Sequence, residues 1–398
     1  GSSFIAERLH YGHHSEYLIY FFLIVGLDAV TAIPFARLRQ QHRSLKFATL
    51  KLINIGVNIA LNLFFLLLCP YLLKHGHTGI ETVYNPSFGV GYVFLSNMIA
   101  SGVSVLLLFG DVFRFKPEFD RQMFREMLLY ALPLLLAGLA GMVNETLDRI
   151  LLRYLLVVPA GAANANEYVM AQIGIYGANY KVSILMTLFI QTFRYAAEPF
   201  FFAHAKETDS RRLYSQVMTC FILFGLFIFL GVMLYIDVVK HFIGEKYYPG
   251  IGIVPVLLLA NLCLGVIFNL SIWYKLNNKT RYGAYITIFG AAVTIAANCI
   301  LIPVMGYAGA AWATFICYFS MMILSYLWGQ RHFYVEYDLK RIFGYLLFAL
   351  VIFAVSKVWH FHSQFNLLIA NSLMFMAFTA TALFKERVLP ARRRFDAS

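Results

Sequence analysis

The feature that most constrains this chain is a near-continuous succession of long apolar runs. Eleven runs can be marked, most of them long enough to cross a bilayer as a helix, with short connections between them. They cover residues 17–36, 47–69, 88–110, 127–156, 168–192, 214–236, 251–274, 284–304, 308–328, 342–358 and 366–384. Backbone polar groups in lipid must be satisfied within the segment. The pattern therefore predicts an all-α polytopic membrane protein with about 11 transmembrane helices.

Composition agrees with a membrane protein and excludes soluble classes. Hydrophobic residues make up 60% of the 398 residues and charged residues only 13%, whereas a soluble domain carries roughly a quarter charged residues. The five cysteines lie in or beside apolar runs without metal-ligand spacing. The sequence contains no P-loop, HExxH or dinucleotide-binding glycine motif. We therefore expect no metal site, no organic cofactor, no nucleic-acid partner and no enzymatic activity.

The placement of basic residues predicts the orientation. Most of the 32 Lys and Arg residues lie in alternate connections and in the C-terminal tail, while the other connections carry only Lys74, Lys240, Lys246 and Lys357. Basic loops stay cytoplasmic, so the C-terminus is predicted to be cytoplasmic and the net charge of +12 follows the topology. Eleven spans would then place Gly1 outside, and we expect an odd number of further spans before it.

Ionisable side chains within the spans mark candidate sites, because a charge at the bilayer centre costs about 2.5–3.5 kcal/mol. Asp28 lies near the middle of the first span and can either line a cavity or make a helix–helix hydrogen bond. The fourth span carries Glu145, Asp148 and Arg149. Glu145 and Arg149 share a helix face and can pair. A functional role is favoured for Arg149 together with Asp148 or Glu145.

A polar stripe follows the fifth span at intervals of three or four residues. Its members are Gln172, Tyr176, Asn179, Ser183, Thr187, Gln191, Arg194 and Glu198. Such a stripe faces water or a packed polar seam. Lys181 lies at mid-span and points away from the stripe. We therefore expect this helix to border an aqueous cavity on one of these two faces.

Amide and hydroxyl groups recur in three further spans. Asn54, Asn58 and Asn62 share one face of the second span and either line a polar path or bond to a neighbouring helix. The eighth and ninth spans are rich in Gly and Ala and are predicted to form a tight antiparallel hairpin. Asn298 and Thr314 are its polar residues, with packing or cation coordination as the two interpretations.

Five segments carry a resemblance to a known family: ETLDRILLRYLL, IGIYGANYK, FIQTFRYAAEPFFF, LSIWYKLNNKTRYGAY and ILIPVMGYAGAAWAT. They resemble the Wzx-type polysaccharide flippases of the multidrug/oligosaccharidyl-lipid/polysaccharide (MOP) exporter superfamily, most specifically over 140–340. The resemblance implies a MATE-like bundle of two six-helix lobes and two appended helices, of which this chain lacks the first three. Residues 1–110 are then the remnant of the N-lobe, 111–329 the C-lobe, and 330–398 the appended helices with a basic tail.

The resemblance also implies a function and a site. Such proteins flip an undecaprenyl-diphosphate-linked oligosaccharide across the inner membrane by alternating access, for polysaccharide or lipopolysaccharide O-antigen biosynthesis. Membrane lipids and other polysaccharide-assembly proteins are the expected partners. A multidrug exporter of the same superfamily is the main alternative, and a lipid-linked oligosaccharide polymerase or ligase is a more distant one. The implied substrate-binding cations are Arg149, Lys181 and Arg194. The candidates for coupling to H⁺ or Na⁺ are Asp28, Glu145 and Asp148. The implied polar cavity face is Gln172, Tyr176, Asn179 and Gln191.

Overall fold

The computed structural model describes residues 15–41, 43–76, 78–112, 120–159, 161, 164–205, 209–277, 279–359 and 364–395. Within these ranges the regular structure is entirely helical. The principal helices are α1 Ser15–Gln40, α2 Ser44–Leu63, α3 Gly91–Leu107, α4 Arg121–Leu155, α5 Ala165–Val182, α6 Ile184–Ala203, α7 Ser210–Leu234, α8 Val254–Leu270, α9 Arg281–Met305, α10 Tyr307–His332, α11 Leu339–Val358 and α12 Gln364–Phe395.

The helices confirm an all-α polytopic membrane protein. Each predicted apolar run falls mainly on helical residues, with single turn residues at Leu108, Ser183, Tyr235 and Ser271. In the described part of the chain, eight helical stretches are by themselves long and apolar enough to cross a membrane, and a ninth is added if α5 and α6 form one bent span. α3 is a shorter apolar helix. α4 has 35 residues and is long enough to cross a membrane, but its apolar sequence is interrupted by the charged residues Glu145, Asp148 and Arg149.

The chain divides into two compact units, Gly1–Gln122 and Met123–Ser398. In the first unit, polar side chains join α2 to α3. The Asn54 side-chain amide donates to the carbonyl of Ala100 and to the Ser104 hydroxyl, both at 2.9 Å. The Asn58 amide donates to Asn97 of α3. Two interpretations were possible for the asparagines of α2, a polar path or hydrogen bonds to a neighbouring helix. The observed contacts of Asn54 and Asn58 are hydrogen bonds to α3.

The second unit has its apolar core around α7 and α8. Phe221, Leu226, Phe229 and Leu230 of α7 are almost fully buried, and residues of α8, α11 and α12 complete the cluster. α9 and α10 form the predicted tight hairpin, which turns at Gly306 with φ +59°. In this conformation a side chain would be strained, so glycine suits the turn.

The predicted fifth span is not one straight helix. α5 and α6 meet at Ser183 with a bend of 47°. The Ser183 hydroxyl donates to the carbonyl of Tyr180 at 2.7 Å, and the Asn261 amide of α8 donates to the same hydroxyl at 3.1 Å. A side-chain hydroxyl that bonds the preceding turn and a neighbouring helix is a recognised cause of bending.

Candidate functional site

A buried carboxylate lies at the centre of the candidate site in the second unit. Asp148 of α4 is only 2% exposed. One of its oxygens accepts a hydrogen bond from the phenol of Tyr176 on α5, and the other accepts from the backbone N–H of Arg149 at 2.7 Å. Tyr176 is itself fully buried. The sequence proposed Asp148 and Tyr176 for different roles, and the structure joins them in one hydrogen-bonded pair.

The α9–α10 hairpin supplies oxygen atoms to the same region. Thr314 of α10 is buried, and its hydroxyl donates at 3.0 Å to the carbonyl of Ala310, a residue of the same cluster as Tyr176. Asn298 of α9 is fully buried, and its amide nitrogen donates to the carbonyl of Thr294 at 2.8 Å. The side-chain oxygen of Asn298 has no hydrogen-bond partner in the part of the chain that the structure describes. A buried acceptor of this kind is uncommon.

Contacts between α4 and α9 place the face of α9 that carries Asn298 beside the part of α4 that carries Asp148. One turn before Asp148, Asn144 accepts a hydrogen bond from the Thr294 hydroxyl at 3.3 Å and donates to the carbonyl of Thr287 at 3.2 Å. One turn after Asp148, Leu152 belongs to the same apolar cluster as Ile302. Asn298 lies between Thr294 and Ile302 on this face of α9. Asp148, Tyr176, Asn298 and Thr314, with the Ala310 carbonyl, are called the interior polar cluster below.

The charged neighbours of Asp148 are arranged differently from the prediction. Glu145 is exposed, and Arg149 is partly buried with its guanidinium 4.7 Å from the centre of the Tyr180 ring. Across the described residues, no carboxylate lies within ion-pairing distance of Arg149. The pair that the spacing of Glu145 and Arg149 allows is thus not formed among the described residues. A cation–π contact is available because Tyr180 presents its ring one helical turn beyond Tyr176.

The polar stripe is buried in its middle and more open at its ends. Asn179 is fully buried and its amide donates to the carbonyl of Tyr247 at 2.8 Å, while Gln172 is half-buried and Gln191 is exposed. The stripe was predicted to face either water or a packed polar seam, and its middle part around Asn179 lies in a packed polar seam. Lys181 is exposed and lies at the end of α5, beside the bend.

A second group of charged residues lies where α6 meets the end of α8. The Arg194 guanidinium lies over the Phe268 ring at 5.1 Å. One turn further along α6, Glu198 pairs with Lys275 at 2.9 Å. The three predicted cations thus lie on three helices, and Arg149 and Arg194 contact different aromatic rings, Tyr180 and Phe268. Sequence reasoning missed Lys275 because it assigned this residue to a basic connection rather than to a site.

The remaining coupling candidate lies in the first unit. Asp28 of α1 is exposed overall, but one of its carboxylate oxygens accepts from the Ser101 hydroxyl of α3 at 2.8 Å. For Asp28 the sequence allowed either a cavity-lining role or a helix–helix hydrogen bond, and this contact is a helix–helix hydrogen bond. A metal site made of three or more His, Cys, Asp or Glu side chains is not found in the described residues.

Two solved structures share this fold. The lipid II flippase MurJ, in an inward closed conformation, matches with a TM-score of 0.58 and 13% identity over 94% of this chain and 73% of its own. A MATE protein in complex with MaL6 matches with a TM-score of 0.53 and 16% identity over 80% of this chain and 69% of its own. No protein-family model and no curated protein matches the sequence. The chain is thus an all-α polytopic membrane protein whose fold is similar to those of MurJ and of the MATE protein.

Proposed function

We propose that this protein is a transporter that moves an anionic, lipid-linked oligosaccharide across the inner membrane by alternating access, driven by a monovalent cation bound beside Asp148. The C-terminus is cytoplasmic in this proposal. Support for transport comes from a fold shared with a lipid II flippase and a MATE protein. A cargo with a diphosphate and sugars cannot cross hydrocarbon unaided, since unpaired buried charge is very costly.

The observation that carries the proposal is the interior polar cluster. A carboxylate that is 2% exposed needs a proton, a cation or a counter-ion. The guanidinium of its neighbour Arg149 lies over the Tyr180 ring and forms no ion pair with a carboxylate of the described residues. On the adjoining face of α9, the side-chain oxygen of Asn298 accepts no hydrogen bond from the described part of the chain. Carboxylate, amide, hydroxyl and carbonyl oxygens are the ligands that hard cations such as Na⁺ prefer, and Asp148 alone can take a proton.

Binding at this cluster would act on helix packing. Its members come from α4, α5, α9 and α10, so neutralising the carboxylate changes the free energy of contacts among four helices. A ligand shifts a conformational equilibrium by the difference in its affinity for the two states. In related folds, transport is rocking of one repeat against the other around a fixed site. A cation held by four helices can bias such a motion.

The nature of the cargo follows from the cations. Arg149 and Lys181 lie within the predicted spans, and Arg194 lies two residues beyond the end of the fifth one. In the described residues none of these three cations forms an ion pair with a carboxylate, and such cations suit an anionic cargo such as a lipid diphosphate. An organic cation, the cargo of a multidrug exporter, would instead be repelled. Cells that contain the protein should therefore export the oligosaccharide and should not export a cationic dye, whereas a multidrug exporter would do the reverse.

Asp148→Asn provides the test in cells that lack their own polysaccharide flippase. The variant keeps the side-chain shape but removes the negative charge, so surface polysaccharide should fall at least about tenfold at equal membrane expression. Asp237→Asn is the matched control, because Asp237 is an exposed carboxylate paired with Lys240 in the same unit. Wild-type export by Asp148→Asn would refute the cation site, and dye efflux without polysaccharide export would refute the cargo.

A further inference from the structure

The short helical segment that follows α7 has one buried and one exposed side. It covers residues 236–242, called the outer segment below, and precedes the span that begins at Glu245. Ile236 is buried in the apolar core of the second unit. Val238 and Phe242 are 52% and 88% exposed, and residues four apart lie on about the same side of a helix. The outer segment therefore presents a small apolar face away from the core.

A contact with α12 gives the depth at which the outer segment begins. The side-chain amide of Asn371 on α12 donates at 2.6 Å to the carbonyl of Leu234, the last residue of α7. The part of α12 that is long and apolar enough to cross a membrane is Asn366–Lys385, and Asn366 is at its external end in the predicted orientation. From 366 to 371 the rise is roughly 7–8 Å along the helix. α7 therefore ends within the apolar layer.

The apolar surface continues outward beyond the level of Leu234. Leu368 and Ile369 of α12 lie outward of Asn371, and both are exposed apolar side chains. Trp359, directly after the end of α11, is exposed as well. Tryptophan is enriched at the boundary between membrane and water. Since α11 and α12 both pack on α7, the outer segment adjoins a lipid-facing surface that extends further out than its own start.

The two acidic and basic side chains of the outer segment compensate each other. Lys240 Nζ lies 2.6 Å from the Asp237 carboxylate and 5.6 Å from the centre of the Tyr248 ring. A charge near hydrocarbon is costly unless it is paired, and a long lysine side chain can keep its ammonium towards the headgroups. The pair therefore suits a segment at the edge of the apolar layer.

We propose that the outer segment is a membrane anchor, in which Val238 and Phe242 insert among the acyl chains of the outer leaflet just below the headgroups. Its partner is bilayer lipid. Amphipathic helical segments at an interface bury their apolar face at this boundary, because apolar area is removed from water there. The sequence alone assigns these residues to an external connection, whereas the contact of Leu234 with Asn371 begins them below the membrane surface. The inference goes beyond the proposed function and does not depend on transport.

Spin labels in liposomes of phosphatidylethanolamine and phosphatidylglycerol test the anchor. Phe242→Cys, Lys246→Cys and Ile369→Cys each carry one label, in a background without the five native cysteines. Collisions with oxygen, which concentrates in hydrocarbon, and with a water-soluble nickel chelate report the surroundings of each label. Position 369 is the reference for lipid, and position 246 is the matched control because it is exposed in the same connection. The ratio of oxygen to chelate collisions at position 242 should exceed that at 246 by at least about threefold and resemble that at 369.

A second measurement covers the case in which the cysteine-free background does not fold. Phe242→Trp, with the native cysteines kept, should add fluorescence that lipids brominated near the headgroup quench, whereas Lys246→Trp should add fluorescence that acrylamide quenches. The proposal is overturned if the label at 242 meets the chelate as often as the label at 246, or if it is shielded from both reagents, as a protein contact would shield it. Quenching of Phe242→Trp by acrylamide and not by brominated lipid would overturn it as well.

Discussion

At the scale of single residues, the carboxylate of Asp148 is held by groups that also limit what it can bind. Tyr176 and the Arg149 backbone donate to its two oxygens, so part of its charge is already stabilised without a cation. The Asn298 oxygen, on the adjoining face of α9, accepts no hydrogen bond from the described residues. In the proposed function, the burial of Asp148 favours a proton or a small cation over a large organic cation.

Tyr176→Phe should remove one hydrogen bond to Asp148 and leave the bond from the Arg149 backbone in place. The change removes one donor from a buried carboxylate and is expected to lower the free energy of unfolding by about 1–3 kcal/mol. It should also make Asp148 more dependent on a bound cation. Unfolding curves in detergent, recorded with and without 100 mM Na⁺ and at two pH values, measure both effects. Tyr285→Phe, at an exposed tyrosine of α9, is the control. Equal stability of Tyr176→Phe and wild type would contradict the assigned hydrogen bond.

At the scale of helices, the α9–α10 hairpin depends on close backbone approach. Gly309 of α10 lies so near the carbonyl of Leu301 on α9 that a Cβ atom would overlap it. Small residues permit such contacts in membranes, where packing supplies much of the association energy. The hairpin carries Asn298 on α9 and Thr314 on α10. The distance between its two helices therefore affects how close these two residues lie to Asp148 of α4 and Tyr176 of α5.

Gly309→Ala should therefore separate α9 from α10. Backbone atoms cannot move aside as a flexible side chain can, and overpacking typically costs about 1–3 kcal/mol. Gly177→Ala in α5 is the control, because nothing lies near its added methyl group and glycine in a helix interior is itself unfavourable by roughly 0.5–1 kcal/mol. Thermal unfolding should show a lower midpoint for the first variant and an unchanged or higher midpoint for the second. The opposite order would refute the close contact.

The helices could be predicted from sequence far better than their interruptions. Apolar length alone located the spans, because each helix must meet its own hydrogen-bonding needs in lipid. The bend at Ser183 depends on Asn261, which is 78 residues away in the chain and reaches Ser183 only after folding. Asn298 and Thr314 were recognised as polar, but their relation to Asp148 depends on the register between α4 and α9. Local spacing contains no information about that register.

At the scale of the whole molecule, the distribution of charge predicts one orientation. The connection that contains Lys279 belongs to the basic group, and the one with Lys246 to the group poor in Lys and Arg. Single cysteines at positions 246 and 279, in a background without the five native cysteines, should react with an impermeant maleimide from opposite sides. Position 246 should react in intact cells, and position 279 only after permeabilisation. Labelling of position 279 in intact cells would reverse the orientation.

The central claim is that a cation gradient acting through Asp148 drives movement of a lipid-linked oligosaccharide. Proteoliposomes with a fluorescent lipid-linked oligosaccharide in one leaflet test it directly, with an imposed Na⁺ or H⁺ gradient and leaflet-specific quenching as the readout. We expect wild-type protein to accumulate the lipid in the other leaflet only under one of these gradients, and we expect Asp148→Asn but not Asp237→Asn to abolish the accumulation. Gradient-independent equilibration by the wild type, or accumulation by Asp148→Asn equal to wild type, would contradict it.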